Sequence, residues 1–289
     1  MVSTARQPRQ ISVVIPAHNE ASVLGACLAA LQRAERDADG ALAVEVVVVT
    51  NGCTDDTAEV ARGYGVRVVE LAEGDKSKAL NAGDAASTVF PRLYLDADIV
   101  LSPGTVAALA EALSTPAAVL AAPAARYETT GASWTSRAFH RVFAELPYAT
   151  ESLGGVGVYG VSQSGRARWA QFPQVRGDDL FAQRHFAPQE RIRVPGYATV
   201  RVPRTTGALL AVRTRVAAGN TELARGAAGD QAPDTSASTL DTLRALGRLV
   251  GTNPRLLGPT MVYLAVILEA RRRARGAGGP AWHRDGSTR

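Results

Sequence analysis

Lysine, cysteine and aromatic residues are all scarce in this sequence of 289 residues. Only two of the 32 basic residues are lysines, Lys76 and Lys78, and aromatic residues make up 6% of the chain. No basic stretch is interleaved with aromatic side chains, which argues against nucleic acid as a partner although the net charge is +5. That charge instead favours phosphates or an anionic membrane surface as partners.

The two cysteines, Cys27 and Cys53, cannot form a disulfide framework or a metal-ligand cluster, and they suit a reducing compartment. The first ten residues are polar and lead directly into an apolar run, so the sequence shows no signal peptide. No apolar run reaches the roughly 18 residues that span a bilayer. We therefore expect a cytoplasmic protein.

Three common nucleotide-binding or hydrolytic motifs are missing. The first apolar run is followed by "PAHNE" and not by G-x-G-x-x-G, so the pyrophosphate loop of a dinucleotide fold is absent. The sequence also contains no G-x-x-x-x-G-K-[ST] and no G-x-S-x-G. A Rossmann dehydrogenase, a P-loop enzyme and an α/β-hydrolase are thereby disfavoured.

Strand and helix patterns alternate through the first 120 residues, which predicts an α/β fold with a mostly parallel sheet covered by helices on both faces. The predicted strands are 11–16, 44–50 and 66–71, with a fourth strand and its end within 92–100, and the predicted helices are 20–36, 53–65 and 76–87.

The pattern is looser after residue 120. It predicts helices over 133–146, 178–186, 205–223, 240–250 and 254–275, a glycine-broken strand over 154–162 and a strand pair over 191–203.

Polar residues cluster where the predicted strands end. His18, Asn19 and Glu20 follow the first strand, Asn51 and Asp55 the second, Glu73, Asp75 and Lys76 the third, and Asp96 and Asp98 the fourth. In an open parallel sheet, ligands bind outside the carboxyl ends of the strands. Of two acids at spacing i, i+2, one can coordinate a hard cation while the other accepts a sugar hydroxyl.

A second acidic pair, Asp178 and Asp179, follows a glycine and precedes a predicted helix. One reading is helix capping, because carboxylates are stabilised near the positive end of a helix. The other is acid–base chemistry. Asp55 and Asp56 also precede a helix, and we interpret them as capping residues.

Five segments occur in the order and rough spacing that is typical of inverting family 2 glycosyltransferases with the GT-A fold, which the chain resembles over residues 11 to about 220. They are "VVIPAHNEASVLGACLAAL", "VEVVVVTNGCTDDTAEVA", "DKSKALNAG", "YLDADIVLSPG" and "GDDLF". The resemblance implies a nucleotide diphosphate-sugar donor, with a UDP-sugar favoured over GDP- or dTDP-sugars, and a divalent metal, Mn²⁺ or Mg²⁺.

The resemblance also implies roles for individual residues. It places the base and ribose at Pro16, His18 and Glu20, and the base at Asn51, where family members usually carry an acid. Lys76 matches the lysine of a "GK-x-x-ALN" segment, Asp96 the acid near the ribose and Asp98 the metal ligand.

For transfer, the resemblance implies that Asp179 removes the proton from the acceptor hydroxyl and that Asp178 orients it. The acceptor is expected to be lipid-linked or a small metabolite. "QRHF" stands where processive members carry Q-x-x-R-W, which favours transfer of a single sugar. Five downstream arginines form a basic reserve for phosphates: Arg166, Arg168, Arg204, Arg213 and Arg215.

We expect a GT-A domain over 1–223, with a nucleotide-binding half at about 11–104 and an acceptor-binding half at about 120–223. A linker over 224–239 and a helical tail over 240–289 follow. Within the tail, "LLGPTMVYLAVIL" is too short to span a bilayer and runs into "EARRRAR". Two readings stay open: a helix on an anionic membrane surface, at the inner face of the membrane, or a helix packed on the domain.

Three rival functions stay open as well. A retaining GT-A transferase and a sugar-phosphate nucleotidylyltransferase share the general sheet, although "PAHNEAS" lacks the glycine-rich, basic loop of the latter. A nucleotide-sugar-binding module without catalysis is the alternative outside enzymes, and the uncharged Asn51 is the residue that keeps it open.

Overall fold

The computed structural model describes residues 8–150, 152–174, 177–226 and 239–276. Within these ranges one sheet of eight strands has the order β3-β2-β1-β4-β7-β6-β8-β5. The strands are β1 Arg9–Ala17, β2 Leu42–Asn51, β3 Arg67–Leu71, β4 Arg92–Leu95, β5 Val100–Leu101, β6 Leu120–Glu128, β7 Val158–Val161 and β8 Arg191–Arg201.

Helices make up most of the remaining described chain. They are α1 Ala21–Asp37, α2 Thr57–Gly63, α3 Lys76–Ala86, α4 Thr105–Leu113, α5 Trp134–Phe143, α6 Pro147–Thr150, α7 Gln163–Arg166, α8 Asp178–Arg184, α9 Thr206–Gly226, α10 Thr239–Thr252 and α11 Leu257–Gly276. Short 3₁₀ helices cover Pro188–Glu190 and Pro254–Leu256.

The predicted α/β class is confirmed, and the sheet is mixed. Among the described strands, β3, β2, β1 and β4 pair in parallel, whereas β7 pairs antiparallel with both β4 and β6, and β5 pairs antiparallel with β8. The four parallel strands are the four that sequence reasoning identified. Their carboxyl ends therefore lie at one edge of the sheet, as the clustering of polar residues predicts.

Helices cover both faces of the parallel strands. Ile11, Val13 and Ile15 of β1 belong to the same buried cluster as residues of α1 and α4, while Val14 lies against α3 on the other face. A Cβ added to Gly83 of α3 would lie 2.2 Å from Cγ1 of Val14, so glycine is what lets this helix approach the strand. Burial on both faces explains the continuous apolar runs of the strands.

The structure corrects the prediction of a strand pair over 191–203. The "VPG" sequence suggested a turn, but the chain continues as the single strand β8. Gly196 adopts a φ of +92° and absorbs the local change in backbone direction, and the strand goes on to pair Ala198 and Thr199 with β5. The glycine-broken strand over 154–162 is likewise shorter than expected, since only β7 forms.

Sequence reasoning missed α4 and β6. Gly104 precedes α4 in a left-handed conformation, and the helix itself is rich in alanine and leucine with little polar alternation. The first four residues of β6 are buried and include Pro123, which weakens the sequence signal for a strand. Both elements owe their form to burial against the sheet more than to local propensity.

The chain divides into two compact units. The first comprises Met1–Arg126, Leu153–Gln174 and His185–Val200, and it contains nearly all residues of the sheet. The second comprises Tyr127–Ser152, Val175–Arg184 and Arg201–Arg289. The division into a GT-A domain, linker and tail stays a prediction, and residues 227–238 of that linker lie outside the described ranges.

In the second unit, α11 packs against α5 and α9. Tyr263 and Val266 of α11 are buried together with Phe139, Phe143 and Leu209. No helix in the described ranges is both long enough and apolar enough to cross a membrane.

Candidate donor and catalytic sites

Reciprocal hydrogen bonds join the ends of β1 and β2. Nδ1 of His18 lies 2.6 Å from the carbonyl oxygen of Asn51, and because a carbonyl can only accept, Nδ1 carries the proton. In return, Nδ2 of Asn51 donates to the carbonyl oxygen of Ala17 at 2.8 Å. Two predicted site residues are therefore in contact, and the position of each depends on the other.

Asn51 carries a polar atom that has no protein partner. The residue is fully buried, and its Oδ1 accepts no hydrogen bond from any described residue. A buried acceptor without a donor costs about 1–3 kcal/mol. The arrangement is therefore suited to a ligand that brings an N–H group to this oxygen.

The backbone of Gly52, directly after β2, lies close to the end of β3 and to the loop that follows it. The Gly52 N–H donates to the carbonyl oxygen of Leu71 at 2.8 Å. Gly52 has a φ of +61°, and a Cβ added there would lie 2.6 Å from the amide nitrogen of Gly74. Any other residue at position 52 would force the two loops apart.

The start of α1 is fixed by the loop that precedes α2. The N–H of Glu20, a buried residue, donates to Oγ1 of Thr57 at 2.7 Å, and the side chain of Asp55 accepts from the N–H groups of Ala21 and Thr57, both at 3.1 Å. The capping interpretation is confirmed for Asp55. For Asp56, which precedes α2, the side chain makes no capping hydrogen bond.

Lys76 and Asp96 form an ion pair, with Nζ 2.8 Å from Oδ1. Their side chains are 27% and 39% exposed, so the pair lies at the surface of the first unit and is accessible to a ligand. Asp75 caps α3 by accepting from the N–H of Lys78 at 3.0 Å. Lys78 itself is exposed and pairs with Glu73.

Asp96 and Asp98 follow β4, where they were predicted to lie. The N–H of Asp96 donates to the carbonyl oxygen of Gly157 at 2.8 Å. Burial raises the pKa of the nearby Cys27 thiol, and the negative charges of Asp98 and Asp96 raise it further. The two carboxylates thus create a negative potential at this end of β4, which favours a cation.

A divalent metal fits Asp98 only with help from a ligand. In the described part of the chain, no group of three or more His, Cys, Asp or Glu side chains is arranged to hold a metal ion. Mg²⁺ is commonly bound by one or two carboxylates together with substrate phosphates. The carboxylates after β4 fit that mode, in which a diphosphate supplies the remaining oxygen ligands.

An anchored segment that sequence reasoning did not identify runs over residues 172–174. Asn81 of α3 accepts from the N–H of Phe172 at 2.8 Å and donates to its carbonyl oxygen at 3.0 Å. Ser77 donates to the carbonyl oxygen of Pro173, and Gln174 donates to Asp75. The "KSKALN" motif therefore positions this segment as well as Lys76.

Arg166 belongs to a buried ionic cluster around Asp84 of α3. It is therefore not one of the arginines that are available to bind phosphate. Oδ1 of Asp84 accepts from Arg92 at 2.7 Å and from the hydroxyl of Tyr94 at 2.8 Å, while Oδ2 accepts from Nε of Arg166 at 2.8 Å. Asp84 is 10% exposed. Arg168 is also engaged, with Glu190. No local sequence signal reveals this cluster, because its members are distant along the chain.

Asp178 and Asp179 open α8 in the second unit. Asp178 is buried, and Oδ1 of Asp179 lies 2.8 Å from the N–H of Leu180, which donates to it. Burial raises the pKa of Tyr148 to about 12, and the charge of Asp179 contributes to that shift. Tyr148 therefore stays protonated at neutral pH beside a carboxylate that can take up a proton.

Comparison of the sequence with models of known protein families gives a match over more than half of the chain. A model of the family described as glycosyl transferase family 2 matches residues 12–171. That range contains every predicted donor-site residue and ends before the Asp178–Asp179 pair.

Curated relatives match over a shorter stretch. The 4,4'-diaponeurosporenoate glycosyltransferase of Staphylococcus aureus strain bovine RF122 / ET3-1 is 32% identical over 97 residues, which is 32% of this chain and 24% of the relative. The enzyme of strain USA300 is 30% identical over the same length. The match thus spans about a quarter of these relatives.

Two solved structures share the fold. The mannosyltransferase PcManGT from Pyrobaculum calidifontis, in complex with GDP-Man and Mn²⁺, has a TM-score of 0.65 and 19% identity, covering 94% of this chain and 88% of that one. Glucosyl-3-phosphoglycerate synthase from Mycobacterium tuberculosis, in complex with Mn²⁺ and UDP-glucose, has a TM-score of 0.52 and 20% identity, covering 77% and 81%.

Proposed function

Because this chain belongs to glycosyltransferase family 2, we propose that it transfers a single sugar from a nucleoside diphosphate-sugar to a hydroxyl group, with inversion at the anomeric carbon. The observation that carries the proposal is the ion pair of Lys76 with Asp96 next to Asp98, at the end of β4 and inside the matched region. The resemblance assigns this lysine and these two carboxylates to the donor.

The nucleoside is proposed to bind against the ends of β1 and β2. The unpartnered Oδ1 of Asn51 fits a base whose ring carries an N–H group, as uracil, thymine and guanine do. His18, Glu20 and Pro16 are proposed to hold the base and ribose together with Asn51. A UDP-sugar is our first choice of donor, and GDP- and dTDP-sugars are the alternatives. The neighbours with GDP-Man and UDP-glucose both carry such bases.

The diphosphate is proposed to meet Lys76 and a divalent metal held by Asp98. When bound, Mn²⁺ or Mg²⁺ would act as a Lewis acid that stabilises the negative charge developing on the leaving diphosphate. Lys76 is a compact ammonium that suits the same charge. Asp96 is proposed to accept hydrogen bonds from the ribose, as its partly exposed carboxylate allows.

Asp179 is proposed as the general base. The acceptor hydroxyl must lose its proton as its oxygen forms the bond to the anomeric carbon and the nucleoside diphosphate leaves, and a carboxylate within hydrogen-bond reach can take that proton. Asp178 is buried beside it and is proposed to orient it. The neighbouring Tyr148 hydroxyl keeps its own proton at neutral pH, so it does not compete as a base.

The acceptor is proposed to be a small metabolite or a lipid-linked hydroxyl. Glucosyl-3-phosphoglycerate synthase, whose structure is also known in complex with phosphoglyceric acid, represents the first class. The matched curated relatives are named for a different molecule, 4,4'-diaponeurosporenoate. The two classes differ in whether the enzyme must reach a membrane.

A membrane surface is proposed as a partner because α11 has two apolar faces. One face is buried against α5 and α9, as the packed-helix reading expects. Leu257, Met261 and Leu268 lie on the other face, at helical spacing, and are 57%, 61% and 66% exposed. An exposed apolar stripe of this kind marks an interaction surface.

Charge complementarity favours an anionic bilayer over a second copy of the chain. Residues 239–276 contain seven arginines and two acidic residues, so their excess charge equals the +5 of the whole chain. Two such surfaces would repel each other, whereas anionic lipid attracts each arginine near the surface by about 1 kcal/mol. The inner leaflet is therefore the proposed location of the membrane contact.

The membrane proposal is tested with vesicles and a triple variant, Leu257→Ser, Met261→Ser and Leu268→Ser, which leaves the buried face of α11 unchanged. We expect the wild-type protein to sediment with phosphatidylserine vesicles and the variant to stay in solution. Trp134→Ser, at an exposed residue outside α10 and α11, is the matched control. Equal sedimentation of wild type and triple variant, or a dimer that only the triple variant loses, would contradict the proposal.

The transferase proposal is tested by nucleoside diphosphate release. The purified protein is incubated with UDP-, GDP- and dTDP-sugars, with Mn²⁺, with Mg²⁺ and with a chelator, and we expect release only with a metal. Asp98→Asn should remove the metal dependence of donor binding while the protein stays folded, and Lys78→Gln, at an exposed neighbour of the site, is the control. Unchanged metal-dependent affinity for the donor in the Asp98→Asn variant would contradict the role of Asp98.

The anomeric configuration of the product distinguishes inversion from retention. A product with configuration opposite to that of the donor supports the proposal, and retained configuration supports the retaining transferase. Release of pyrophosphate from a sugar phosphate and a nucleoside triphosphate would identify a nucleotidylyltransferase. Binding of the donor without any release would identify a binding module.

A further inference from the structure

Arg213 of α9 lies in the aromatic interior of the second unit. Its guanidinium carbon is 4.9 Å from the ring centroid of Phe139 and 4.4 Å from that of Phe143. Both phenylalanines belong to the apolar cluster that α5, α9 and α11 share. A cation stacked on two rings gains about 0.5–2 kcal/mol for each ring, which offsets only part of the cost of removing it from water.

No described residue accepts a hydrogen bond from this guanidinium. Nε of Arg213 is buried and has no hydrogen-bond partner among the described residues, although the residue as a whole is only half-buried. Arg166 and Arg168, from the same reserve of downstream arginines, are each paired with a carboxylate. Arg213 thus differs from them in having up to five N–H donors and no acceptor.

Arg213 and Tyr148 lie against the same aromatic ring. The ring centroid of Tyr148 is 6.1 Å from that of Phe143, which the Arg213 guanidinium also contacts. Burial lowers the pKa of Arg213, and the positive charge of Arg215 lowers it further, so a bound anion would stabilise the charged form. Tyr148 also interacts with Asp179, so the proposed base and Arg213 have a neighbour in common.

We propose that Arg213 and the Tyr148 hydroxyl form a subsite for an oxyanion, a phosphate or carboxylate group of one of the substrates. A guanidinium presents paired donors that match two oxygens of such a group, and a protonated tyrosine supplies a further donor. Contact with two rings restricts the guanidinium before the ligand arrives. The assignment of the ligand to a substrate rests on the proposed transferase function, but the binding of an oxyanion does not.

Inorganic phosphate is the probe that tests the subsite. Calorimetric titration of the full-length protein should show saturable phosphate binding, and Arg213→Gln should raise the Kd by roughly 10- to 100-fold, as expected for the loss of charge-assisted hydrogen bonds. Arg213→Lys keeps the charge but not the paired donors and should give an intermediate Kd. Arg141→Gln, an exposed arginine of the same unit, is the control and should leave the Kd unchanged.

The source of the oxyanion is distinguished by competition. If UDP or GDP displaces phosphate and Arg213→Gln weakens binding of that nucleotide, the subsite holds the diphosphate of the donor. If phosphate and nucleotide bind together and Arg213→Gln raises only the KM for an acidic acceptor, the subsite holds the acceptor.

Two results would overturn the proposal. One is an Arg213→Gln variant that binds phosphate as tightly as the folded wild-type protein. The other is an equal weakening in the Arg141→Gln control, which would show a nonspecific charge effect. Because the titration needs no transfer reaction, loss of the transferase function alone would leave the phosphate result standing.

Discussion

Nζ of Lys76 donates to Oδ1 of Asp96 at 2.8 Å, so two residues that sequence reasoning assigned to different parts of the donor bind each other in this structure. Both side chains are more than a quarter exposed, and solvent screens the attraction between them. The pair can therefore exchange partners when a donor arrives. Lys76 would turn to the diphosphate and Asp96 to the ribose.

This exchange predicts a contrast between stability and donor affinity. Lys76→Met and Asp96→Asn should each change the free energy of unfolding by less than about 1 kcal/mol, since exposed ion pairs contribute little. Each variant should nevertheless weaken donor binding by about tenfold or more, because it removes a charge-assisted contact. Chemical denaturation and nucleotide titration measure the two effects. A large loss of stability with normal donor affinity would show that the pair is structural.

Asp179 is expected to act in the transfer step. Asp179→Asn should lower kcat by about 10²–10⁴-fold and leave the Kd of the donor nearly unchanged, because a general base contributes to the transition state and not to donor binding. Asparagine can still accept from the N–H of Leu180, so the helix start should persist.

Asp178→Asn is the matched control for the base. It should be the milder of the two variants if Asp178 only orients its neighbour. A greater loss at Asp178 would reverse the assignment within the pair, and a near-normal rate for Asp179→Asn would remove it as the base.

Asp84 is expected to matter for stability. Asp84→Asn leaves two buried arginines without their shared carboxylate, and breaking a buried pair in this way typically costs about 3–5 kcal/mol. Glu59→Gln, which removes an exposed partner of Arg62, is the control and should cost less than about 1 kcal/mol. Unfolding in denaturant measures the free energy of unfolding of both variants. Similar small losses in both variants would show that the cluster is not required for the fold.

His140 should make the protein less stable in mild acid. Burial lowers the pKa of His140 to about 4, against the 6.5 of a free histidine, and Nδ1 donates to the carbonyl oxygen of Ser136 at 2.8 Å. Between these two values the unfolded chain binds the extra proton and the folded chain does not, so stability is lost as the pH falls from about 6.5 to about 4. The loss can reach about 3 kcal/mol.

The measurement is the thermal midpoint of wild type and His140→Asn across that pH range. Asparagine can replace the Nδ1 donor but does not titrate. The variant should therefore lose less stability than the wild type between pH 6.5 and pH 4. Parallel curves would show that His140 does not titrate in this way.

Local sequence patterns were sufficient to predict much of the fold and to identify the candidate site residues. The apolar runs of β1 to β4 are continuous because helices cover both of their faces, and the polar residues that end these strands meet at one edge because parallel strands share a direction. Both properties follow from short stretches of chain. The family resemblance carried by those stretches agrees with the model match over residues 12–171.

Only the tertiary structure decided which polar groups are engaged and which are not. Asp84 binds Arg92 and Arg166, the second of which is 82 residues away, and Asn81 holds Phe172 across 91 residues. Such pairings depend on how elements pack, and packing is not encoded in any local period. For the same reason the sequence could name five downstream arginines without ranking them. The fold pairs Arg166 and Arg168 with carboxylates. It places Arg213 against two phenylalanine rings, with no hydrogen-bond acceptor among the described residues, because its neighbours on α5 and α11 are aromatic.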